Sequence, residues 1–378
     1  MTKMDDKTYQ KLKTLRSRID QIDIELVKLL QERLRLAVEI GKTKAQAQKE
    51  PLDLVREKEV IQHILEENED IFPPAGLKVI FSEIISACRN AQRPANVAYL
   101  GPETTFTHMA AARFFGHAPR FLPCGSITEV FEEVERNRVD YGVIPVENSV
   151  EGTVALTLDG LYDFNVKVCG EVYLPISHYL INQSGRIDKI KRILSHPHAL
   201  AQCRIWLQRN LPAVPTEAVV STAQAARWAA VDPDIAAIAS PLAARTYNLQ
   251  IVARRIEDYE GNTTRFLVLG HHCPRSSGND KTSLLLSLED KPGSLFRLLE
   301  PLAKRGINLT KIQSRPVKNE PWRYLFYVDV VGHIDDPIVH EGIKAIEKGC
   351  TFLRWLGSYP MGEMVDTICD PPQRDNKY

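Results

Sequence analysis

Apolar residues recur at alternating intervals of three and four along the first part of the chain. This heptad stripe predicts a single amphipathic helix from about Asp5 to Ala45, roughly 60 Å long at 1.5 Å per residue. The stripe consists of Leu12, Leu15, Ile19, Ile22, Leu26, Leu29, Leu36 and Ile40. About 90 residues cannot bury such a helix alone, so we expect a homodimer or higher homo-oligomer in which two copies share a core.

A charged residue interrupts this stripe, because the position after Leu29 is Arg33. A buried guanidinium is costly unless it is paired or binds an anion, so Arg33 favours a ligand site over a purely solvated helix. Lys44 lies on the same face three turns later, whereas Arg16 is about 25 Å back along the helix. If Arg16 belongs to that site, we expect a second copy to supply it. A helical dimerisation module whose charges are solvated is the alternative.

Two further helices are predicted before the pattern changes. One follows Pro51 and carries Asp53, Arg56 and Glu57 on its first turn; the other begins near Pro74 and ends in polar Gln92.

The segment after Gln92 to Ala95 alternates short apolar runs with helical patterns. Asn96 to Leu100 and Tyr141 to Val146 predict strands, and Phe106 to Phe115 predicts a helix. We also predict one strand near Val172 to Leu180 and one helix from Ala199 to Gln208. About 175 residues of this α/β pattern suffice for two lobes, and ligands of such folds bind at the carboxyl ends of strands.

The last third predicts the order βαββαβ between Thr282 and Ser358, which is typical of a ferredoxin-like fold. The chain is therefore predicted to be multidomain: an all-α helical domain, a two-lobed α/β domain and an α+β ferredoxin-like domain. The expected boundaries are 1–93, 95–272 and 281–363, followed by a C-terminal tail at 364–378.

Composition narrows the class of protein. The 378 residues carry 48 basic and 48 acidic side chains, so no broad field of charge would attract nucleic acid or a membrane surface. The seven cysteines include no CxxC pair, which argues against a disulfide framework or a structural zinc site. No signal peptide or uninterrupted apolar run of 18 residues is evident, and we expect a soluble cytoplasmic protein.

The helical segment resembles the all-helical chorismate mutase family. The match rests on Leu15-Arg16, Leu29-Leu30-x-Glu32-Arg33, Val38-x-Ile40-Gly41-x-x-Lys44, Asp53-x-x-Arg56-Glu57 and the terminal Gln92. The resemblance implies an intertwined dimer that rearranges chorismate to prephenate. It implies that Arg16 and Arg33 hold carboxylates with Arg56 nearby, that Lys44 and Gln92 donate to the ether oxygen, and that Asp53 and Glu57 hold the substrate hydroxyl. Cys88 stands where some relatives have a hydroxyl residue.

Four polar stretches of the α/β segment resemble prephenate dehydratases. They are Gly101-Pro102-Glu103-Thr104-Thr105-Phe106-Thr107, Glu147-Asn148-Ser149-Val150-Glu151-Gly152-Thr153, Ser195-His196-Pro197 and Thr263-Thr264-Arg265-Phe266, with Thr104 at a position that is usually glycine. The resemblance implies that Thr264 donates a hydrogen bond or proton to the leaving hydroxyl and that Arg265 anchors the side-chain carboxylate. Because a threonine is a poor acid, a relay with Glu147 or His196 is expected. The implied prephenate-binding residues are Thr105, Glu147, Asn148, Ser149, Ser195, His196, Gln202, Thr263, Arg265 and Phe266.

The C-terminal segment resembles the amino-acid-binding ACT module. The resemblance implies a regulatory L-phenylalanine site formed by Pro292, Gly293, Ser294, Leu295, Gln313, Ser314, Arg315 and Pro316. Backbone N–H groups at the start of its first helix would suit a carboxylate, and Gln313 replaces a common glutamate.

Together these segments resemble the bifunctional chorismate mutase/prephenate dehydratase family, the P-proteins, over nearly the whole chain. The implied function is feedback-regulated phenylalanine biosynthesis without a metal or organic cofactor. His196 and His198 could form a metal site, but solvated loop histidines are the simpler interpretation. A monofunctional dehydratase with a helical dimerisation domain and a non-catalytic solute sensor remain as alternatives.

Overall fold

The computed structural model describes residues 6–47, 50–69, 71–317 and 324–364. The chain forms two compact units, of which one comprises residues 1–94 with 116–119 and the other 95–115 with 120–378. In the described part of the chain, no helix is both long enough and apolar enough to span a bilayer.

Three helices make up the first unit, as predicted: α1 (Asp6–Gln46), α2 (Leu54–Glu66) and α3 (Pro74–Gln92). Asp53 caps α2 by accepting a hydrogen bond from the backbone N–H of Arg56, and Pro74 begins α3 because a first helical residue needs no N–H donor. The apolar stripe of α1 remains open in the single chain, with Ile19 56% and Leu29 61% exposed. Such a stripe is a surface that another chain would bury.

The second unit begins with a two-lobed α/β region. Its helices are α4 (Phe106–Phe115), α5 (Ile127–Glu135), α6 (Ala155–Asp163), α7 (Pro197–Gln202), α8 (Arg204–Asn210), α9 (Thr222–Ala229) and α10 (Pro241–Thr246). Its strands are β1 (Asn96–Leu100), β2 (Arg120–Cys124), β3 (Tyr141–Asn148), β4 (Gly152–Thr153), β5 (Lys167–Pro175), β6 (Tyr179–Asn182), β7 (Arg192–Ser195), β8 (Thr216–Ala218), β9 (Ile235–Ala239), β10 (Gln250–Ala253) and β11 (Thr263–Gly270).

Each lobe is built on its own sheet. The first sheet has the order β2-β1-β3-β11-β5 with β4 on β3, and the second has the order β10-β6-β9-β7-β8. The chain enters the second lobe after β5 and returns through β11, which lies between β3 and β5 of the first sheet. The stretch Thr263-Thr264-Arg265-Phe266 therefore begins the strand that closes the first lobe.

Two predicted elements were wrong in extent. The single strand expected from Val172 to Leu180 is two strands in different sheets, because the chain crosses between lobes just after Pro175. The single helix expected from Ala199 to Gln208 is split at Cys203 into α7 and α8. Asp258 stabilises the second start, since its carboxylate accepts hydrogen bonds from the N–H groups of Ile205 and Trp206.

The C-terminal region has the predicted ferredoxin-like order: β12 (Asp280–Leu288), α11 (Ser294–Lys304), β13 (Leu309–Pro316), β14 (Tyr324–Val331), α12 (Pro337–Glu347) and β15 (Cys350–Pro360). Its sheet has the order β13-β14-β12-β15. One face packs on α11 and α12 through Leu284, Leu286 and Val328, and the other joins the first-lobe core through Leu285 and Tyr327. Most of the predicted tail, residues 365–378, lies outside the described residues.

Candidate active sites

The helical unit contains a cavity of about 350 Å³ between its three helices. Seven of the eight residues predicted to bind chorismate line it: Arg33, Lys44, Asp53, Arg56, Glu57, Cys88 and Gln92. The periodicity of three helices brings these positions together from distant parts of the sequence. Arg16, the eighth, is an exposed residue of α1 that does not line the cavity.

Several of these side chains are held in place by neighbouring groups. The Arg33 guanidinium donates to the Cys88 sulfur at 2.9 Å, and the Lys44 ammonium donates to the carbonyl oxygen of Pro51 at 3.0 Å. The Gln92 Oε1 atom is buried and has no hydrogen-bond partner among the described residues. Because Oε1 is an acceptor, a group that donates a hydrogen bond would satisfy it.

Arg89 is a lining residue that the sequence analysis missed. Its guanidinium contacts both carboxylate oxygens of Glu57 at 2.6 and 2.7 Å, and the residue is 7% exposed. It follows Ile85 by four positions and precedes Gln92 by three, so helix spacing could have placed it on this face. Four basic and two acidic side chains line the cavity, which leaves an excess of two positive charges.

A larger cavity of about 790 Å³ lies between the two lobes of the α/β region. Six residues predicted to bind or act on prephenate line it: Thr105, Asn148, His196, Gln202, Thr264 and Phe266. They come from the loop after β1, the ends of β3 and β7, α7 and the start of β11. The carboxyl ends of β1, β3 and β7 thus carry most of the site, as expected for an α/β fold. The start of β11 lies at the same edge because β11 runs antiparallel to β3.

Hydrogen bonds fix the orientation of Thr264. The Asn148 Oδ1 atom accepts from the N–H groups of Val150 and Glu151, so its Nδ2 atom must point the other way. Nδ2 donates to the Thr264 hydroxyl at 2.8 Å and to the Asn262 Oδ1 atom at 2.7 Å. Because the Thr264 oxygen accepts from Asn148, its own proton is available for a group in the cavity.

The network continues to residues that the sequence analysis did not include among the prephenate-binding residues. The Gln202 Oε1 atom accepts from Asn262 at 3.2 Å, and its Nε2 atom donates to Glu151 at 2.8 Å. The His178 Nε2 atom lies 2.7 Å from the same Oε1 and must carry the proton. His178 is 3% exposed, and burial lowers its pKa, which favours the neutral ring.

Two histidines, half-buried His196 and exposed His198, complete this wall. The Nδ1 atom of His198 lies 2.5 Å from the Glu151 carboxylate, and the His196 ring is 5.0 Å from that of His198. Partial burial lowers the pKa of His196, and neighbouring His198 lowers it further. His178 and Asn262 lie outside the quoted motifs, and Glu151 lies at a variable position of one. The fold brings all three close to Gln202.

Five of the predicted prephenate-binding residues do not line the cavity. Ser195 is fully buried and donates to the Ile238 carbonyl at 2.6 Å; Ser149 accepts from the Thr263 N–H at 2.9 Å. Ser195, Ser149 and Thr263 therefore stabilise the loops around the cavity.

The other two, Glu147 and Arg265, face away from it. The Glu147 carboxylate lies 2.6 Å from the Lys311 ammonium, and Arg265 is 4% exposed and paired with Glu171 and Asp329. The expectation that Arg265 holds a substrate carboxylate must be corrected on this geometry. Alternate residues of a strand point to opposite faces, so Asn148 and Thr264 face the cavity while their neighbours do not.

Among the described residues, the inter-lobe cavity is lined without lysine or arginine, and its wall includes the starts of two helices. Its wall includes Thr105 to Thr107 at the start of α4, and Ser221 and Thr222 at the start of α9. Free N–H groups and the helix dipole make such helix starts suitable for carboxylates.

Thr104, at the position where glycine is usual, adopts a glycine-like backbone with φ of 70°. Its Oγ1 atom is buried and has no hydrogen-bond partner among the described residues. The backbone is fixed on both sides, since the Thr104 N–H donates to His108 and its carbonyl accepts from Ser240. The loop geometry is thus kept at the cost of left-handed strain.

The eight predicted phenylalanine-binding residues fall on two faces of the C-terminal sheet. Arg315 pairs with Asp159 of α6, and the Gln313 Oε1 atom accepts from Thr153, so both face the first lobe. Ser314 and Pro316 alternate with them and are exposed. Residues Pro292 to Leu295 lead into α11, which covers the opposite face of the sheet.

Comparison with known families identifies three domains in this chain. Models of chorismate mutase type II, prephenate dehydratase and the ACT domain match residues 15–93, 97–274 and 282–347. A solved prephenate dehydratase from Arthrobacter aurescens, in complex with L-Phe, is similar with a TM-score of 0.65 and 34% identity, covering 70% of this chain and 90% of that chain.

Two curated relatives extend over nearly the full length. The bifunctional chorismate mutase/prephenate dehydratase of Aquifex aeolicus is 46% identical over 93% of this chain and 98% of its own length. That of Stutzerimonas stutzeri is 41% identical over 92% and 97%. With three matching domains in the same order, the chain belongs to the family of bifunctional chorismate mutase/prephenate dehydratases.

Proposed function

We propose that the helical cavity rearranges chorismate to prephenate and that the inter-lobe cavity converts prephenate to phenylpyruvate, as two steps of phenylalanine biosynthesis. The observation that carries this proposal is the presence of two separate cavities, each lined by most of the residues predicted for its reaction. The first has an excess of two positive charges, which suits a dianion.

The rearrangement needs no nucleophile and no proton transfer. Its catalyst must hold the compact conformer of chorismate and stabilise the ether oxygen as the C–O bond breaks. We assign the carboxylates to Arg33 with Arg56 nearby, and the ether oxygen to Lys44 and Gln92. Arg89 holds Glu57 in place through its two short contacts, so that Glu57 can bind the substrate hydroxyl.

A second copy of the chain completes this site in our proposal. The open apolar stripe of α1 gives the two copies a surface to share, and Ile19 and Leu29 lie on it. Arg16 belongs to the same helix, about 25 Å from Arg33. It would reach the cavity of the partner and bind the second carboxylate there.

The dehydratase step removes the ring hydroxyl and the ring carboxylate of prephenate. Loss of water and carbon dioxide leaves the aromatic ring of phenylpyruvate, so the protein must protonate the hydroxyl and leave the departing carboxylate weakly bound. We assign the hydrogen bond to the leaving hydroxyl to Thr264, whose oxygen is held by Asn148. His196, which lines the same cavity, is the relay partner that remains after Glu147 is removed from it.

The side-chain carboxylate would bind to N–H groups at the starts of α4 and α9. A cavity without lysine or arginine in its described wall also avoids a strong partner for the carboxylate that leaves. Tight binding of that group would stabilise the ground state and oppose decarboxylation.

The ACT domain, we propose, binds L-phenylalanine and inhibits the dehydratase. The Arthrobacter aurescens relative is described as a complex with L-Phe, which supports this assignment. The start of α11 offers N–H groups for the carboxylate of the amino acid, with Ser314 and Pro316 on the same side of the sheet. Gln313 and Arg315 instead join the domain to the first lobe.

One experiment tests both activities and their regulation. The purified protein is given chorismate, with and without L-phenylalanine, and chorismate loss and phenylpyruvate formation are followed. We expect phenylpyruvate to form and L-phenylalanine to slow it. Arg33→Ala should lower the mutase rate by about 100-fold or more, as for loss of a charged donor to a reacting dianion, yet leave the conversion of added prephenate unchanged. A failure of Arg33→Ala to slow chorismate loss would contradict the proposed mutase site.

A further inference from the structure

The residues on either side of the inter-lobe cavity wall are paired in register. Thr264 lies opposite Asn148 across the β11–β3 ladder, and Arg265 lies opposite Glu147. The first pair faces the cavity and the second faces the C-terminal sheet. Asn148 therefore follows Glu147 in the chain, and Thr264 precedes Arg265, so each cavity residue is next to one that contacts the C-terminal sheet.

Arg265 is the centre of a buried charge cluster. Its Nε atom lies 2.7 Å from Glu171 of β5, its Nη1 atom 2.6 Å from Asp329 of β14, and its Nη2 atom 3.1 Å from the Tyr359 hydroxyl. Lys281 of β12 also contacts Glu171, at 2.8 Å. Arg265 and Glu171 are each 4% exposed, Lys281 3% and Asp329 0%. The buried cluster therefore contains two positive and two negative side chains, whose charges cancel. Its ion pairs and hydrogen bonds hold the Arg265 guanidinium in one orientation.

Glu147 is held by a single ion pair, and its side chain is 39% exposed. Its carboxylate lies 2.6 Å from the ammonium group of Lys311, whose side chain is 8% exposed. Lys311 in turn lies opposite Asp329 in the β13–β14 ladder. Glu147 and Arg265 are thus neighbours in the first-lobe sheet, and Lys311 and Asp329 are neighbours in the ACT sheet. Each residue of one sheet forms an ion pair with a residue of the other: Glu147 with Lys311, and Arg265 with Asp329.

We infer that Glu147 and Arg265 are positioning residues for the dehydratase reaction, and that Lys311 and Asp329 of the ACT domain hold them. Rotation or shift of either residue would move the adjacent peptide and with it Asn148 or Thr264. Displacements near 1 Å are enough to lower a rate substantially. The inference rests on the proposed role of Thr264 and Asn148 in that reaction.

Isosteric and matched variants test this inference. Asp329→Asn removes the charge that faces Arg265 but retains the shape, and Lys311→Met removes the charge that faces Glu147. Asp159→Asn is the control, because the Asp159–Arg315 pair also joins the first lobe to β13 but has no cavity residue beside it on a shared strand. Lys311→Arg retains the charge and should restore the rate in part.

The measurement is the prephenate dependence of phenylpyruvate formation by the full-length variants. We expect kcat to fall roughly 10- to 100-fold in Asp329→Asn and Lys311→Met, with KM changed less than about threefold. Asp159→Asn should retain the wild-type kcat. The mutase rate of each preparation reports the concentration of active helical unit, and a urea titration of each variant checks that the second unit is folded.

Two outcomes would overturn the inference. One is an unchanged kcat in both charge-removing variants; the other is an equal fall in Asp159→Asn, which would mean that any loosening between these domains has the same effect. Should Asp329→Asn not fold, Lys311→Met and Lys311→Arg decide the question alone. Failure of the proposed function is distinguishable, since it would show as a wild-type kcat in Thr264→Val.

Discussion

Removal of one hydroxyl from the inter-lobe cavity is the sharpest test of the dehydratase assignment. Thr264→Val retains the β-branched shape that suits β11 and removes only the oxygen that faces the cavity. The Asn148 Nδ2 atom keeps its 2.7 Å bond to Asn262, so no donor is left wholly unpaired. The cost to the free energy of unfolding should be about 1 kcal/mol.

The expected effect on the reaction is much larger. A positioned acid–base or donor group contributes roughly 10²- to 10⁴-fold, which corresponds to about 2.7–5.4 kcal/mol of transition-state stabilisation. Phenylpyruvate formation from prephenate should therefore fall by at least about 100-fold, whereas the mutase rate stays at the wild-type value.

The neighbouring threonine provides a matched control. The Thr263 hydroxyl lies outside the cavity, 3.4 Å from the Gly261 carbonyl oxygen. Thr263→Val makes the same chemical change one residue away and should keep kcat within about twofold of wild type. The reasoning is refuted if Thr264→Val retains more than about a tenth of the wild-type kcat, or if both variants lose activity equally.

Three other predictions follow from the same part of the structure. Asn148→Asp should lower the dehydratase kcat by about 100-fold, because its carboxylate would accept the Thr264 proton; a rate above a tenth of wild type, measured as phenylpyruvate formation, would argue against this. Below about pH 6.5 the unfolded chain binds a proton at His178 more readily than the native chain does, because burial lowers the native pKa. The free energy of unfolding should therefore fall from pH 7.5 to 5.5 by more in wild type than in His178→Gln, as measured by urea titration; equal losses would contradict the assignment. Thr104→Gly should raise the free energy of unfolding by about 1 kcal/mol by relieving left-handed strain and removing a buried unpaired hydroxyl, and a decrease in urea titration would contradict that account.

The helical site could be predicted almost completely from the sequence. Helical periodicity tells which residues share a face, so the spacing of Arg33 and Lys44, or of Cys88 and Gln92, already places them together. Arg89 has the spacing of the cavity face but was missed, because an arginine on a helix is more often solvated; its contact with Glu57 shows that it is buried here. Arg16 remains a prediction, since its expected site lies in a second copy.

The inter-lobe site could be predicted only in part. The sequence motifs indicate which loops lie at the cavity. They do not indicate which residues of a strand face the cavity and which face away from it. Asn148 and Thr264 were placed correctly at the cavity, while Glu147 and Arg265 point to Lys311 and Asp329. Asp329 is 64 residues from Arg265 and Lys311 is 164 residues from Glu147, so no local pattern reveals these partners.

His178 and Glu151 line the cavity, but the sequence did not reveal them. His178 lies where the chain crosses between the lobes, a stretch that the apolar pattern had suggested was one continuous strand. Glu151 lies in a motif but was not singled out, since its partner His198 comes from the second lobe. Long-range packing, which a sequence pattern does not encode directly, decides both positions.

Complementation between two inactive variants tests most directly whether the two reactions occur at two separate sites. Arg33→Ala and Thr264→Val are assayed singly and as an equimolar mixture for the conversion of chorismate to phenylpyruvate. Each variant alone should form little phenylpyruvate, and the mixture should recover a substantial rate, because prephenate made by Thr264→Val can be consumed by Arg33→Ala. A mixture as inactive as its components would contradict the account.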